Sequence, residues 1–270
     1  MSKGEKEYDK RRFVERDTNV RHVANRVGRF SVLEYDRDVS VNPLSAQVEY
    51  FCSKMNYKKR QLVATMDPKT GVVLQAGAMQ MMVGDIQMTS NIKGVGDFAK
   101  KLIGSKVTGE SASKPLYKGT GTVLCEPTYK YLIIENLADW GGAMTIDDGL
   151  FLACEDTAQL KVVARTNLSS AVLGGEGLFN TSIRGSGLVV LESDVPREEL
   201  MEFQLENDTI KIDGNMAIAW SDTLKFTVEK AGTSLMGSAV SKEGFVNVYS
   251  GTGRILIKPL PNKIFNNTIK

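Results

Sequence analysis

Paired carboxylates are the residues of this chain best suited to acid–base chemistry. Asp147 and Asp148 are adjacent, and Asp156 and Asp222 each precede a threonine. Two carboxylates facing one pocket are the equipment of a glycosidase, so one hypothesis is an enzyme in which Asp156 and Asp222 share a cleft. Both Asp-Thr pairs lie between predicted strands, where aspartates commonly accept turn hydrogen bonds. The sequence therefore favours a structural role for these acids.

Nucleophilic and metal chemistry have little support. The chain contains one histidine, His22, so a serine or cysteine nucleophile lacks an evident imidazole partner and a multi-histidine metal site cannot form. Cys52, Cys125 and Cys154 are odd in number and follow no zinc-ligand spacing, which predicts reduced, buried thiols. We therefore expect a non-enzymatic protein with no cofactor and no metal site.

Three further patterns suggest ligands, but each has a plainer interpretation. Gly94 to Ala99 matches the phosphate-binding pattern G-x-G-x-x-A, but no βαβ unit with a downstream acid follows it. Met79, Met81, Met82 and Met88 form a sulfur-rich run, which we interpret as core filling. Lys58-Lys59-Arg60 and the N-terminal arginines could contact nucleic acid, but a net charge of only +2 favours a solvated face.

The strongest signal is a glycine signature that positions strands. It occurs as Gly119-Thr120-Gly121, Gly185-Ser186-Gly187 and Gly251-Thr252-Gly253, and one constant interval, which also separates Asp156 from Asp222, lies between successive copies. Apolar residues alternate after every copy, as Val123, Val189 and Ile255 and then Cys125, Leu191 and Ile257, which predicts strands with the same face buried. In the second copy Leu188 and Val190 are apolar too, so this strand is predicted to be covered on both sides.

A glutamate beside glycine precedes each copy. Glu110 and Glu176 are separated by the same constant interval, and Glu243 lies a single position beyond it. One hypothesis is that these glutamates form a ring of equivalent carboxylates in a shared site. The other is that they occupy turns in which glycine supplies positive φ. We favour turns, because a repeated unit copies its turn chemistry as faithfully as a site. Residues 146–157 also align without a gap on residues 212–223, which indicates a duplicated β unit.

The elements divide the chain into four parts. We predict a polar N-terminal arm over residues 1–29, helical in part at most, a first β half over 30–165, a second β half over 166–260 packed on the first, and a tail over 261–270. The first half is expected to contain short strands at Ser31 to Val41, Ala46 to Ser53, Gln61 to Met66, Val72 to Ala76 and Met79 to Met88. One short helix is predicted at Asp97 to Ile103.

Composition limits the class of protein. At 270 residues, 42% hydrophobic and 24% charged, the chain can bury a sizeable core. No apolar run approaches the length of a membrane span, and acids interrupt the N-terminal arginines, unlike in a transit peptide. We expect a cytoplasmic location.

Several of these motifs together resemble a known family. The run from Gly174 to Leu191, then Ile212-Asp213-Gly214, then Glu243 to Gly253 resembles the altered inheritance of mitochondria protein 24 family, over roughly residues 45 to 258. The resemblance implies an all-β fold similar to the tryptophan RNA-binding attenuator protein, with a duplicated, antiparallel, jelly-roll-like β sandwich (a double-stranded β-helix). It carries over no catalytic residue.

The resemblance also implies how the protein works. The resemblance implies that related proteins assemble as trimers. It also implies that members of the family are similar to scaffold or membrane-associated proteins more than to enzymes. We therefore expect a homo-oligomer, a trimer by resemblance, that binds a protein or a membrane surface. The alternatives are a ring that binds nucleic acid through its basic arm and the carboxylate-pocket enzyme.

Overall fold

The computed structural model describes residues 17–89, 114–164, 179–214, 216–230 and 245–259. These residues fold into two antiparallel sheets, which confirms the all-β prediction. The elements in chain order are β1 (Arg21–Val27), β2 (Phe30–Tyr35), α1 (Ala46–Lys54), β3 (Arg60–Met66), β4 (Val72–Leu74), β5 (Met79–Thr89), β6 (Leu116–Cys125), β7 (Tyr131–Asn136), β8 (Ala143–Ile146), β9 (Phe151–Glu155), β10 (Ala158–Ala164), β11 (Phe179–Gly185), β12 (Leu188–Ser193), β13 (Met201–Asp213), β14 (Ala217–Ser221), β15 (Lys225–Lys230) and β16 (Phe245–Ile257). Short 3-10 turns lie at Leu137–Trp140 and Arg197–Glu199.

The strand order mixes the two halves of the sequence. Among the described strands, sheet one runs β1-β2-β3-β6-β4-β9-β12-β7 and β5 adds to β6, whereas sheet two runs β10-β11-β8-β14-β16-β13 and β15 adds to β16. Strand β12, from the predicted second half, lies in sheet one, and β8 and β10, from the predicted first half, lie in sheet two. The two sheets therefore do not coincide with the two predicted halves.

The core consists of three clusters of buried apolar side chains, and each receives the strand that follows one glycine pair. The first cluster lies within sheet one, the third within sheet two, and strands of both sheets meet in the second. The residues concerned are Val123 and Cys125 in the first cluster, Val189 and Leu191 in the second, and Ile255 and Ile257 in the third. All six are at most 4% exposed, which confirms that the same face is buried after every glycine pair.

Strand β12 is a wall shared by two clusters. Leu188 and Val190 pack in the first cluster, while Val189 and Leu191 pack in the second. The strand pairs with β7 on one edge and β9 on the other. A strand enclosed in this way has no polar face, and this confirms the prediction that the second copy is covered on both sides.

The N-terminal segment differs from the predicted arm. Residues 21–27 form β1, which pairs antiparallel with β2 through a turn at Gly28 and Arg29. The second half of β1 is exposed, and its sequence shows no strand-like alternation of polar and apolar residues. Backbone pairing with β2, rather than burial of side chains, makes this segment a strand.

The prediction of a strand at Ala46 to Ser53 is wrong, because these residues form most of helix α1. Val48, Tyr50 and Cys52 recur at every second position and so mimic a strand, although Phe51 lies between the last two, and no residue of the helix is buried. The predicted helix at Asp97 to Ile103 lies outside the described residues. In the described part of the chain, no helix has the length and apolarity that a bilayer crossing requires.

Candidate interaction surface

The glycine pairs lie where a positive φ, a close neighbouring group or both disfavour a side chain. Gly119, Gly185 and Gly251 have φ of 133°, 124° and 125°. A Cβ on these glycines would lie 2.0, 2.4 and 3.4 Å from the carbonyl oxygens of Asp85, Thr157 and Thr223 respectively. The partner glycines are crowded as well, at Gly121 by the carbonyl of Val83, at Gly187 by the Glu155 carboxylate and at Gly253 by the Thr223 hydroxyl. These glycines therefore serve backbone geometry.

The second and third copies share the same hydrogen bonds. The Thr157 hydroxyl donates to the carbonyl of Ser186 at 2.7 Å, and the Thr223 hydroxyl donates to that of Thr252 at 2.8 Å. The next pair differs only in the acceptor: the N–H of Leu188 donates to Glu155 and the N–H of Arg254 donates to Ser221, both at 3.0 Å. The constant interval of the glycine signature separates every donor and acceptor of one copy from its counterpart in the other.

Glu155 gives the second copy a further partner. Its second oxygen accepts from Nε of Arg29 at 2.6 Å, and both side chains are at most 16% exposed. The Arg29 guanidinium also reaches the carbonyl of Thr70 at 3.1 Å and the carboxylate of Asp67 at 3.3 Å. The β1–β2 turn is thus fixed to the body of sheet one.

Part of the sequence-predicted chemistry cannot be located. Glu110, Glu176 and Glu243 lie outside the described residues, as does the glycine pattern from Gly94 to Ala99.

Asp156 and Asp222 are bound by different partners. Asp156 pairs with Lys118 at 3.0 Å, and its N–H donates to the carbonyl of Gly71. Asp222 accepts from Ser182 at 2.9 Å, from Arg184 at 2.8 Å and from the Thr145 hydroxyl. Each carboxylate is therefore held by its own surroundings, and the geometry does not support the paired-carboxylate hypothesis.

The basic run from Lys58 to Arg60 is neutralised by ion pairs with nearby carboxylates. Lys58 Nζ lies 2.8 Å from Glu34 and 3.1 Å from Asp36, and Lys59 lies 2.8 Å from Asp38. Arg60 is 4% exposed and lies 2.7 Å from Glu34. The prediction of a solvated basic face is therefore wrong for Lys58 to Arg60. The pairing also removes this run as a nucleic-acid patch, because phosphate contact needs cations that are free.

One cluster has the spacing of a metal site. Ligand atoms of His22, Glu34 and Asp36 lie within 4.8 Å of one another. The Lys58 ammonium sits against both carboxylates, and Nδ1 of His22 lies 2.8 Å from Asp36. The cluster is thus an ion-pair network among protein groups.

A cleft of about 450 Å³ opens between α1, the loop before it and the edge of sheet one. Tyr35, Tyr50, Tyr57 and Tyr129 line it, together with Ala46 and Glu49. Tyr57 and Tyr129 stack with their ring centres 5.4 Å apart, and Lys59 lies 4.8 Å from the centre of the Tyr35 ring. These contacts join the segment that follows α1 to the edge of sheet one through aromatic and cationic groups.

The outer face of α1 is apolar and uncovered. Leu44, Val48, Phe51 and Met55 are 95%, 64%, 59% and 80% exposed. Val48 and Phe51 belong to α1, Leu44 lies in the turn before it and Met55 is its C-cap. Since residues spaced by four, three and four positions lie on one side of a helix, these side chains form a ridge along α1 and its two ends, which we call the α1 ridge. Sequence reasoning missed it because the alternation in this segment predicts a strand, although the helical spacing was visible.

Two long strand edges are also open and apolar. Among the described strands, β5 pairs only with β6, and β13 pairs only with β16. Met81, Met82 and Met88 on β5 are 40–53% exposed, and Met201 and Phe203 on β13 are 44% and 41% exposed. The interpretation of the methionine run as core filling is therefore wrong for these three methionines.

Two of the cysteines are inert. Cys125 and Cys154 are at most 1% exposed, and burial raises the pKa of both thiols to about 12. The prediction of buried thiols is confirmed for these two, whereas Cys52 on α1 is partly exposed and lines the cleft.

Comparison with known proteins agrees with the resemblance noted in the sequence. An uncharacterised protein of Streptococcus pyogenes serotype M6 is 29% identical over 207 residues, covering 74% of this chain and 81% of that protein. The crystal structure of a Streptococcus pyogenes protein matches with a TM-score of 0.57 and 25% identity, covering 79% of this chain and 94% of that one. The family model described as Mitochondrial biogenesis AIM24 matches residues 54–260, beginning at the last residue of α1. Since this match spans more than half of the sequence, the chain belongs to the Mitochondrial biogenesis AIM24 family.

Proposed function

We propose that this protein is a non-catalytic scaffold that works as a homo-oligomeric ring, a trimer of the attenuator-like kind, and that the ring binds a protein or a membrane surface. The observation that carries the proposal is the pair of strand edges on β5 and β13, which are open among the described strands and carry the exposed apolar residues Met81, Met82, Met201 and Phe203. An open edge with exposed apolar side chains is a template for pairing with another chain. On β13 these apolar residues lie before the bulge that begins after Leu205, whereas Glu206, Asp208 and Lys211 lie in or beyond it.

The two edges suit a head-to-tail contact. Strand β5 has 11 residues and belongs to sheet one, whereas β13 has 13 residues and belongs to sheet two. Pairing of β5 with β13 of the next copy is a heterologous contact, and such a contact gives a ring when the rotation between copies closes. The ladder between subunits would use the part of β13 before the bulge that follows Leu205.

The described chemistry supports binding more than catalysis. Asp156 and Asp222 are each held by separate partners. The cations of the Lys58 to Arg60 run are paired with acids. These observations favour a surface that assembles over a surface that reacts or attracts phosphate.

The test is the mass of the protein in solution. We expect analytical ultracentrifugation of the full chain at micromolar concentration to show a trimer, and Met82→Lys to shift the population to monomer because a charge enters the apolar edge. Val162→Lys is the matched control: Val162 is 41% exposed on β10, another edge strand of sheet two, and the trimer should persist. A wild-type monomer, or a Met82→Lys trimer, would contradict the proposal.

A further inference from the structure

Helix α1 is oriented differently from an ordinary surface helix, because its apolar stripe faces away from the protein. A helix that packs on its own domain turns its apolar stripe toward the core. In α1 the partly buried residues Ala46, Glu49, Cys52 and Ser53 line the cleft, whereas the four ridge residues are exposed. Of these four, Val48 also reaches the rim of the cleft. The helix therefore presents the apolar surface that it would otherwise bury.

The helix is held firmly in this orientation. Arg60 donates to the carbonyl of Asn56 at 3.0 Å and to its side-chain oxygen at 2.9 Å, directly after the helix ends. At the other end, the Ser45 hydroxyl donates to Glu49 at 2.7 Å. The first contact ties the end of α1 to β3 and the second stabilises the first turn of the helix, so the ridge is preorganised for a partner.

The spacing of the ridge is that of a helix–helix seam. Positions separated by four, three and four residues are the alternating a and d positions of a heptad, which pack against a second helix. A helix that lies in a lipid surface instead carries a broad apolar face flanked by many basic residues. Here the only charged residue flanking the ridge on the helix is Lys54, which lies 5.1 Å from the centre of the Tyr50 ring.

The ridge is complementary to itself when two copies run antiparallel. Leu44 then faces Met55 of a second copy, and Val48 faces Phe51, so a small side chain meets a large one in each central layer. The only carboxylate of the helix, Glu49, lines the cleft, and the flanking Lys54 runs beside Gln47 of the second copy and away from its Lys54. The antiparallel arrangement therefore places no like charges together.

We propose that α1 pairs with α1 of a second copy of this chain across a twofold axis, through Leu44, Val48, Phe51 and Met55. This contact uses a different surface from the β5 and β13 edges, so it goes beyond the proposed ring and would link rings to one another. Four side chains per copy cover less than the ~800 Å² per partner of a standard interface. The isolated contact is consequently weak, and simultaneous contacts between rings strengthen it.

Cysteine cross-linking tests the geometry directly. In a Cys52→Ser background, the double variant Leu44→Cys/Met55→Cys should form covalent dimers under mild oxidation, because position 44 faces position 55 of the second copy. Within one copy these positions lie about 16 Å apart along the helix, which is too far for an internal disulfide. Cys125 and Cys154 are buried and stay out of the reaction.

Three controls separate the possible outcomes. Leu44→Cys alone should cross-link at least tenfold less, and equal cross-linking would overturn the antiparallel arrangement. Adding Phe51→Glu should abolish the double-variant product while circular dichroism shows an unchanged fold, since Phe51 is exposed. Adding Met82→Lys should lower the yield of the product without abolishing it, because single copies still pair through the ridge but lose the strengthening that a ring provides. A failure of the ring proposal is therefore distinguishable from a failure of this one, because the latter would give no product in either background. Phe51-dependent flotation with anionic vesicles, without any cross-link, would instead assign the ridge to a lipid surface and overturn the pairing.

Discussion

At the scale of single residues, the glycine pairs and their threonines act as spacers between strands. The Thr157 and Thr223 hydroxyls each bind the carbonyl at the centre of a glycine pair, so backbone and side chain lock together at the same point in both copies. The copies diverge where Glu155 replaces the Ser221 of the other copy. Glu155 gains Arg29 as a partner, which shows how one unit of a repeated design acquires a separate structural task.

Gly185→Ala should be strongly destabilising. The residue has φ of 124°, and a Cβ would lie 2.4 Å from the backbone carbonyl of Thr157, which cannot rotate away. We expect a loss of about 3 kcal/mol in the free energy of unfolding, measured by urea denaturation.

Gly77→Ala is the matched control for that substitution. Gly77 also has positive φ, of 83°, but a Cβ there would have no atom within 4 Å. Its cost should be about 1 kcal/mol, from backbone strain alone. Equal effects at Gly77 and Gly185 would show that crowding between the strands is not the reason for the glycine signature.

At the scale of secondary-structure elements, the sequence predicted best where side-chain burial decides the structure. Strand β3 was expected at Gln61 to Met66 and is observed at Arg60–Met66, because nearly all of its residues are buried. Strand β1 was missed because its pairing depends on the backbone and its side chains face solvent. Helix α1 was missed because its apolar residues face outward, so the usual relation between pattern and core does not apply.

The same reasoning explains how much of the interaction surface was predictable. The glycine signature was recognisable from its constant spacing, and in the structure these glycines serve backbone geometry. The open edges of β5 and β13 depend on which strands pair, and this is set by contacts between residues far apart in the chain. Sequence alone therefore predicts a core position for the methionines of β5, because an apolar side chain is usually buried and the pairing that leaves this edge open is not visible in the sequence.

Arg60→Lys should loosen α1 without unfolding the sheets. Lysine keeps the positive charge near Glu34 but lacks the planar fork that holds Asn56 and Glu34 together. We expect amide hydrogen exchange to accelerate at least tenfold in residues 46–57, while β3 and β6 keep their protection. Lys59→Arg, at the neighbouring ion pair, should change the exchange of α1 little, and an equal acceleration there would assign the effect to charge density and not to the fork.

At the scale of the whole molecule, a charge network joins the two sheets. Glu135 of β7 is 7% exposed and accepts from the Trp140 indole and from Arg197, both at 3.2 Å. Glu202 of β13 pairs with Arg197 and, at 2.6 Å, with Arg254 of β16. The two carboxylates and two guanidinium groups balance, so sheet one and sheet two are tied by ion pairs above the shared second core cluster.

These networks predict how the folded molecule responds to acid. Burial acts to raise the pKa of Glu34, but the hydrogen bond from Lys58 and the charge of Arg60 outweigh it, so the pKa lies below its ordinary value. The pKa of Glu202 is lowered in the same manner, against the effect of burial, by hydrogen bonds from Arg197 and Arg254. A carboxyl group whose pKa is lower in the folded state stabilises the fold above its unfolded pKa, and this contribution disappears as pH falls through the folded pKa.

Glu34→Gln tests this dependence in the global free energy of unfolding. At pH 7 the variant should be about 2 kcal/mol less stable than the wild type, because two charge-assisted hydrogen bonds weaken and the buried Arg60 loses its counter-charge. Below about pH 4 the difference should shrink and approach zero once the wild-type carboxyl is protonated. Glu206→Gln, at an exposed position on β13, should change stability by less than about 0.5 kcal/mol at either pH. A Glu34→Gln difference that stays constant from pH 7 to pH 2.5 would show that Glu34 acts through packing and not through its charge.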